Sequence, residues 1–288
     1  MHGKAITRRS FLRKAIHATL GLGASACGGL LYTTVLEPQW ISVERVTVHL
    51  RRLPREFDGF TVAQLSDFHV GPYINADHIE SAVAAANALK PDVFALTGDY
   101  VTHSASYASP CAQALAKLRA PHGAVAVLGN HDHWTNAGTV LGALREHGIK
   151  VLANRSVSIE REGVRLWLAG VDDVWVKSAD VERALNKVSK NETAILLAHE
   201  PDFADHVARY PVDLQLSGHS HGGQVRLPFL GAPVLPYLGV KYPIGLRRVG
   251  SLQVYTNRGI GVISPPVRFR CRPEVTLLTL RAETTSVT

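Results

Sequence analysis

"DLQLSGHSHGGQV" (residues 213–225) passes from a short apolar segment straight into a glycine, two imidazoles one residue apart, and two further glycines. Core packing does not ask for two histidines between glycines, so the segment reads as a strand that delivers them somewhere. The same shape recurs four times upstream, in "LSDFH" (65–69), "LTGDY" (96–100), "LGNHDHW" (128–134) and "LLAHEP" (196–201). Each is a short apolar run that breaks into polar residues. Between them lie stretches with helical spacing, "HIESAVAAANALK" (78–90), "CAQALAKLR" (111–119) and "AGTVLGALREHG" (137–148), the last closed by Gly148. Alternating strands and helices argue for βαβ units around a parallel or mixed sheet, an α/β fold. In such sheets ligands bind outside the carboxyl ends of the strands, so the five clusters should meet on one rim.

Those ends contribute Asp67, His69, Asp99, Asn130, His131, His199, His219 and His221. The set combines neutral imidazoles, carboxylates and one amide, without a thiolate. It suits Mn, Fe, Zn or Co better than a soft-metal or all-oxygen calcium site. Eight donors exceed one tetrahedral ion but suit two divalent ions sharing a bridge, an arrangement that clamps both oxygens of a phosphoryl displacement. Gly98, Gly129, Gly218, Gly222 and Gly223 fit turns where backbone must make way for such a site. Any one fragment arises easily by chance; five in order at strand ends do not.

The chain has 288 residues, enough for a full core, and a formal net charge of +7. That charge sits at the front. Lys4, Arg8, Arg9, Arg13 and Lys14 precede the first acid, Glu37, leaving 26 basic against 24 acidic residues beyond them. A nearly neutral body argues against a general nucleic-acid binder. No C-x-x-C pair occurs among Cys27, Cys111 and Cys271; the last two read as buried thiols before a bridge. "TRRSFLRK" (7–14), followed by an uncharged run to Leu36, has the layout of an export signal and resembles the twin-arginine type. This places residues 1–37 as a signal or membrane anchor that engages the twin-arginine machinery. The run could just span a bilayer, "ASA" (24–26) offers a cleavage site and Cys27 a lipidation site, so cleavage, retention and lipidation all stay open. Each leaves the body periplasmic or on the outer membrane face. With no repeat or change of composition after it, residues 38–288 read as one domain.

The series "SDFH", "TGDY", "LGNHD", "AHEP" and "GHSHGGQ" resembles the calcineurin-like metallophosphoesterases, from about residue 40 to 280. With its leader the chain is similar to the bacterial exported, membrane-associated phosphodiesterases among them. The resemblance implies a four-layer α/β/β/α sandwich, two mixed sheets flanked by helices. It also implies roles: Asp67, His69 and His221 for one metal, Asn130, His199 and His219 for the other, Asp99 as bridge, and His131 as the group that faces the phosphate. Water activated by the metal pair is then the nucleophile. The sequence departs from the phosphoprotein-phosphatase branch in "GDYVTHS", where no acid follows to orient the catalytic histidine. Asp132 is the candidate for that task, or a solvated turn acid; Gln224 is a candidate substrate contact.

The expected activity is therefore hydrolysis of a phosphoester, of the phosphodiesterase type. The alternative is a nucleotide-linked lipid pyrophosphatase resembling the UDP-diacylglucosamine hydrolases; a binding module on a degenerate fold ranks below both, since every ligand is present. "RLPFLGAPVLPYLGVKYPIGLRR" (226–248), apolar, proline-rich and basic at its ends, is either a packed insertion or a lip facing a membrane and a lipid-linked substrate.

Overall fold

The computed structural model describes residues 7–283; Lys4 and the rest of 1–6 at the front of the leader, and 284–288, lie outside them. Thr7 caps the first helix, α1 (Arg8–Leu31), by accepting the Ser10 N–H on its hydroxyl. A π turn (Tyr32–Leu36) and the short α2 (Glu37–Gln39) continue it. This helix is long and apolar enough to cross a membrane by length and composition, and none of its most apolar stretch is buried. Its C-terminal end differs: Glu37 and Pro38 are buried, the Glu37 carboxylate accepts the Cys271 N–H at 2.6 Å, and the Thr33 carbonyl accepts the Arg268 N–H at 2.8 Å. Gln39 reaches the buried His78 ring at 2.9 Å. The folded unit therefore takes in residues that composition alone assigns to the leader.

Among the described residues twelve strands follow: β1 (Ser42–Leu50), β2 (Thr61–Leu65), β3 (Val93–Leu96), β4 (Ala124–Ala126), β5 (Lys150–Val151), β6 (Arg155–Arg161), β7 (Val164–Gly170), β8 (Thr193–Leu197), β9 (Leu214–Ser217), β10 (Gly245–Val249), β11 (Leu252–Thr256) and β12 (Glu274–Ala282). They form two six-stranded mixed sheets, in the orders β1-β12-β2-β3-β4-β5 and β10-β11-β9-β8-β7-β6. The site-bearing strands β2, β3 and β4 are parallel neighbours in one sheet, and β8 and β9 in the other. Helices α3 (Ala76–Asn87), α4 (Ala108–Leu115) and α5 (Asn130–Glu146) cover the first sheet; α6 (Val181–Ala184) and α7 (Ala204–Val207) cover the second. The layers are α/β/β/α.

The central strands are buried on both faces, which is why they read as unbroken apolar runs. The period of two still sorts them: Val93 and Ala95 of β3 and Ile195 and Leu197 of β8 fill the space between the sheets, while Phe94 and Leu96 face one helical layer and Ala194 and Leu196 the other. Each large apolar side chain so enclosed contributes about 2 kcal/mol. The helix expected over 137–148 begins earlier, at Asn130, and bends at Asn136, whose backbone is extended and whose side chain caps the second part through the Thr139 N–H. Two capping signals in one stretch, Asp132 and Asn136, account for the two-part helix.

Candidate metal centre

All five strand ends meet at one rim. The ladder carries on past the strands, with Asp67 N–H on Gly98 O (2.9 Å), His69 N–H on Asp99 O (3.0 Å) and Gly218 N–H on His199 O (3.0 Å), before the loops turn inward. Asp67, His69, Asp99, His219 and His221 all take left-handed backbone, φ from 47° to 67°. For residues with a Cβ this costs on the order of 1–2 kcal/mol each and gathers at functional sites. Two glycines let the loops close up: a Cβ on Gly218 would stand 2.1 Å from Asp67 Oδ2, and one on Gly129 2.3 Å from Asp99 Oδ1.

His69 Nε2 lies 2.9 Å from His221 Nε2, and Asp67 Oδ1 lies 3.3 Å from the latter. Asp99 Oδ2 stands 3.5 Å from His69 Nε2 and 3.1 Å from His199 Nε2, between this group and a second. That second group brings donor atoms of Asp99, His199 and His219 within 4.8 Å of one another. His199 Nδ1 donates to the Thr97 carbonyl (2.6 Å) and His219 Nε2 to the Tyr237 carbonyl (2.8 Å), so each ring turns its other nitrogen's lone pair to the centre. His199 Nε2 and the Asn130 amide oxygen are buried without a hydrogen-bond partner, an arrangement costing about 1–3 kcal/mol per group unless something binds them. Two divalent cations fit this donor set: lone pairs converge, carboxylates supply charge, and the orphaned atoms gain a partner.

Burial depresses the imidazoles of His69 and His219 to about 3, and that of His221 well below the usual range, leaving them neutral with lone pairs free. Burial likewise pushes Asp67 up to about 7. Burial acts the same way on Asp99 but is outweighed by the imidazoles of His199 and His131, which hold it well below the carboxylate range. His199 is raised in return by Asp99, against its own burial.

His131 stands at the start of α5, its backbone N–H on Asp99 Oδ1 (2.9 Å) and its Nδ1 3.3 Å from Thr102 Oγ1. Its ring meets that of His69 edge-on at 4.7 Å and comes within 4.8 Å reach of Asp99, while remaining partly open to solvent. Asp132 is placed elsewhere. Its buried carboxylate accepts the N–H groups of Asp99, Tyr100, Val101 and Gly129 at 2.8–3.3 Å, tying α5 to the loop after β3; it is neither solvated nor turned to His131. The Gln224 side chain is spent on the backbone of Ile263 and Pro265 (2.7–3.2 Å), bracing that loop behind the candidate ligands. Cys111 and Cys271 are buried free thiols, and Cys271 Sγ donates to the His221 carbonyl at 3.2 Å.

An aromatic wall, not foreseen as a unit, rims the centre. Trp134 lies 4.9 Å from His131, Trp175 5.2 Å from Trp134, and Tyr237 5.4 Å from Trp175. Beside it His133 and Asp172 form a half-buried pair at 2.9 Å. The hydrogen bond to Asp172 raises His133; half-burial pushes Asp172 up, but His133 and the Asp173 N–H hold it below its ordinary value. A raised imidazole stabilises below its unfolded value, near 6.5, and loses this as pH rises through the folded one; a depressed carboxylate stabilises above about 3.9 and loses this in acid. Asp172→Asn should therefore cost about 1 kcal/mol between pH 4 and 6.5 and little at pH 9, as read by denaturant midpoints across pH. An equal cost at pH 9 would count against a charged pair.

A family model for calcineurin-like phosphoesterases matches residues 60–223, which span every strand-end cluster. The chain belongs to that family: it is a metallophosphoesterase, a metal-dependent phosphoester hydrolase with a dinuclear centre. Over 284 residues it is 37% identical to the uncharacterized metallophosphoesterase YkuE of Bacillus subtilis (strain 168), covering 97% of this chain and 99% of that one. It is 33% identical over 279 residues to the phosphodiesterase YaeI of Escherichia coli (strain K12), covering 96% and 99%. It is also 31% identical over 293 residues to a transmembrane protein with metallophosphoesterase domain of Bos taurus, covering 96% of this chain and 64% of that protein.

Proposed function

We propose that this protein is a phosphodiesterase, with Asp67, His69 and His221 holding one metal ion, Asn130, His199 and His219 the other, and Asp99 reaching both. The placing of Asp99 Oδ2 between the two ligand groups carries this reading. The ions, when bound, supply Lewis acidity that makes water a nucleophile at neutral pH and neutralises charge on the phosphoryl oxygens. In the reaction water oxygen bonds to phosphorus, one ester P–O bond breaks, and that oxygen leaves as an alcohol. His131, partly open to solvent beside the centre, steadies the charge that builds on phosphorus oxygens and gives the leaving oxygen its proton. Thr102, beside Nδ1, orients the ring. The aromatic wall fixes the path by which the ester group enters.

The mixed imidazole, carboxylate and amide donors suit Mn, Fe, Zn or Co, and Mn is the ion proposed for the first reconstitution. We further propose that the N-terminus stays in the cytoplasm and the domain lies outside, exported by a twin-arginine route with α1 holding the enzyme at the membrane surface; the basic residues before an apolar helix support this reading. Chelation by EDTA should abolish hydrolysis of methyl p-nitrophenyl phosphate, and Mn should restore it, with two metal equivalents in the purified protein. Protein that binds no metal, or hydrolyses equally with EDTA present, would overturn the assignment.

A further inference from the structure

We propose that the face bearing the metal centre rests on a phospholipid bilayer with residues 227–240 dipped into it, and that the substrate is an amphiphilic phosphodiester drawn from that layer. The second half of this rests on the phosphodiesterase reading; the first does not. Leu227, Phe229, Leu230, Val234, Tyr237 and Val240 are all exposed, Phe229 fully. Reciprocal backbone hydrogen bonds between Leu227 and Gly231 (2.8 and 3.0 Å) close a tight turn that holds Phe229 and Leu230 out at its tip. Water gains nothing from this display; each such side chain is stabilised by leaving it for an apolar phase.

The position of this lip identifies what covers it. Its root is paired with the segment around Phe269 (Arg226 N–H on Phe269 O, 2.9 Å; Phe269 N–H on Gln224 O, 2.9 Å), and the adjacent Arg268 N–H is bonded to Thr33 at the end of the apolar helix. Lip and helix exit thus stand side by side, and a membrane that takes the helix meets the lip. Trp40, just past the helix, is exposed with the Arg272 guanidinium 4.1 Å over its ring, the kind of pair that settles at headgroup level. Arg270, on the same segment, is exposed toward anionic headgroups. From the lip the path to the chemistry is continuous: the Tyr237 carbonyl holds the His219 ring, and the Tyr237, Trp175 and Trp134 rings lead on to His131. An acyl chain left in the bilayer and a phosphate at the metals fit this apolar ramp.

The test uses the full chain in vesicles of phosphatidylethanolamine and phosphatidylglycerol. In a Cys27→Ser background, Phe229→Cys carries an environment-sensitive nitrobenzoxadiazole label, and Ser251→Cys, exposed at the opposite end of the sheets, carries the control. The label at 229 should shift to the blue and resist aqueous quencher, while that at 251 reports water. A watery signal at 229 overturns the docking. So does a shielded signal with energy transfer between labelled copies that survives lipid dilution, since a second copy of the chain then covers the lip. For the substrate, Phe229→Asp/Leu230→Asp should lower hydrolysis of vesicle-borne dodecyl p-nitrophenyl phosphate at least tenfold and leave soluble methyl p-nitrophenyl phosphate within twofold. Equal loss on both esters overturns the amphiphilic assignment. Wild-type protein inert toward both esters, together with a shielded label on Phe229→Cys, would sink the phosphodiesterase reading and keep the docking.

Discussion

Asp99→Asn should release both metal ions and lower turnover by roughly 10³-fold or more, about 4 kcal/mol of lost transition-state stabilisation. The carboxylate oxygen between His69 and His199 is the charge common to both ligand groups. An amide removes that charge and turns either a weaker acceptor or an N–H donor toward the ions. The fold should survive, because the Asp99 backbone stays tied to Asp132 and to the loop after β2 through main-chain bonds that the substitution leaves alone. Metal content by elemental analysis, thermal melting and hydrolysis of methyl p-nitrophenyl phosphate together check this. Two retained equivalents with near-normal turnover would remove Asp99 from the centre.

His131→Ala should produce a different failure, a loss of about 10²–10⁴-fold in turnover with both metals kept. The contact between His131 and Asp99 runs through the backbone N–H, which alanine preserves, so only the ring is lost. The ring is the one imidazole of the cluster that is partly open to solvent, where a phosphate would arrive. The two variants separate binding from catalysis: one empties the site, the other leaves it loaded and slow. Metal loss from His131→Ala would make it a ligand and require another residue to protonate the leaving oxygen.

The convergence of Asp67, His69, Asp99, Asn130, His131, His199, His219 and His221 was legible because of a simple regularity. Each follows a strand buried on both faces, and parallel strands put their carboxyl ends on one edge. What escaped the sequence acts through backbone or across distance. The Thr97 and Tyr237 carbonyls that orient His199 and His219 carry no side-chain signature. Asp132 reads like any turn acid beside a histidine, yet its carboxylate is claimed by N–H groups of a loop about thirty residues earlier. Gln224 sits next to the loop of His219 and His221 in the chain, but its side chain is bonded to the backbone of Ile263 and Pro265. The placing of β12 between β1 and β2 depends on pairing Ser42 with Glu274, a contact to which no local pattern points. Trp175 follows a "VDDV" turn, and the buried Glu200 that anchors this turn by accepting the Val174 and Trp175 N–H groups at 3.3 and 3.2 Å lies 25 residues further on.

The stub that joins α1 to the domain bears on how a soluble reagent should be cut. Trimming at residue 38 discards the Glu37 carboxylate that seats Cys271 and the Thr33 carbonyl that seats Arg268, and Cys271 in turn supports the loop of His221. Such a preparation would be clipped at the foundation of its own catalyst. Starting the recombinant chain at Tyr32 removes the greasy helix and keeps the Thr33 and Glu37 contacts.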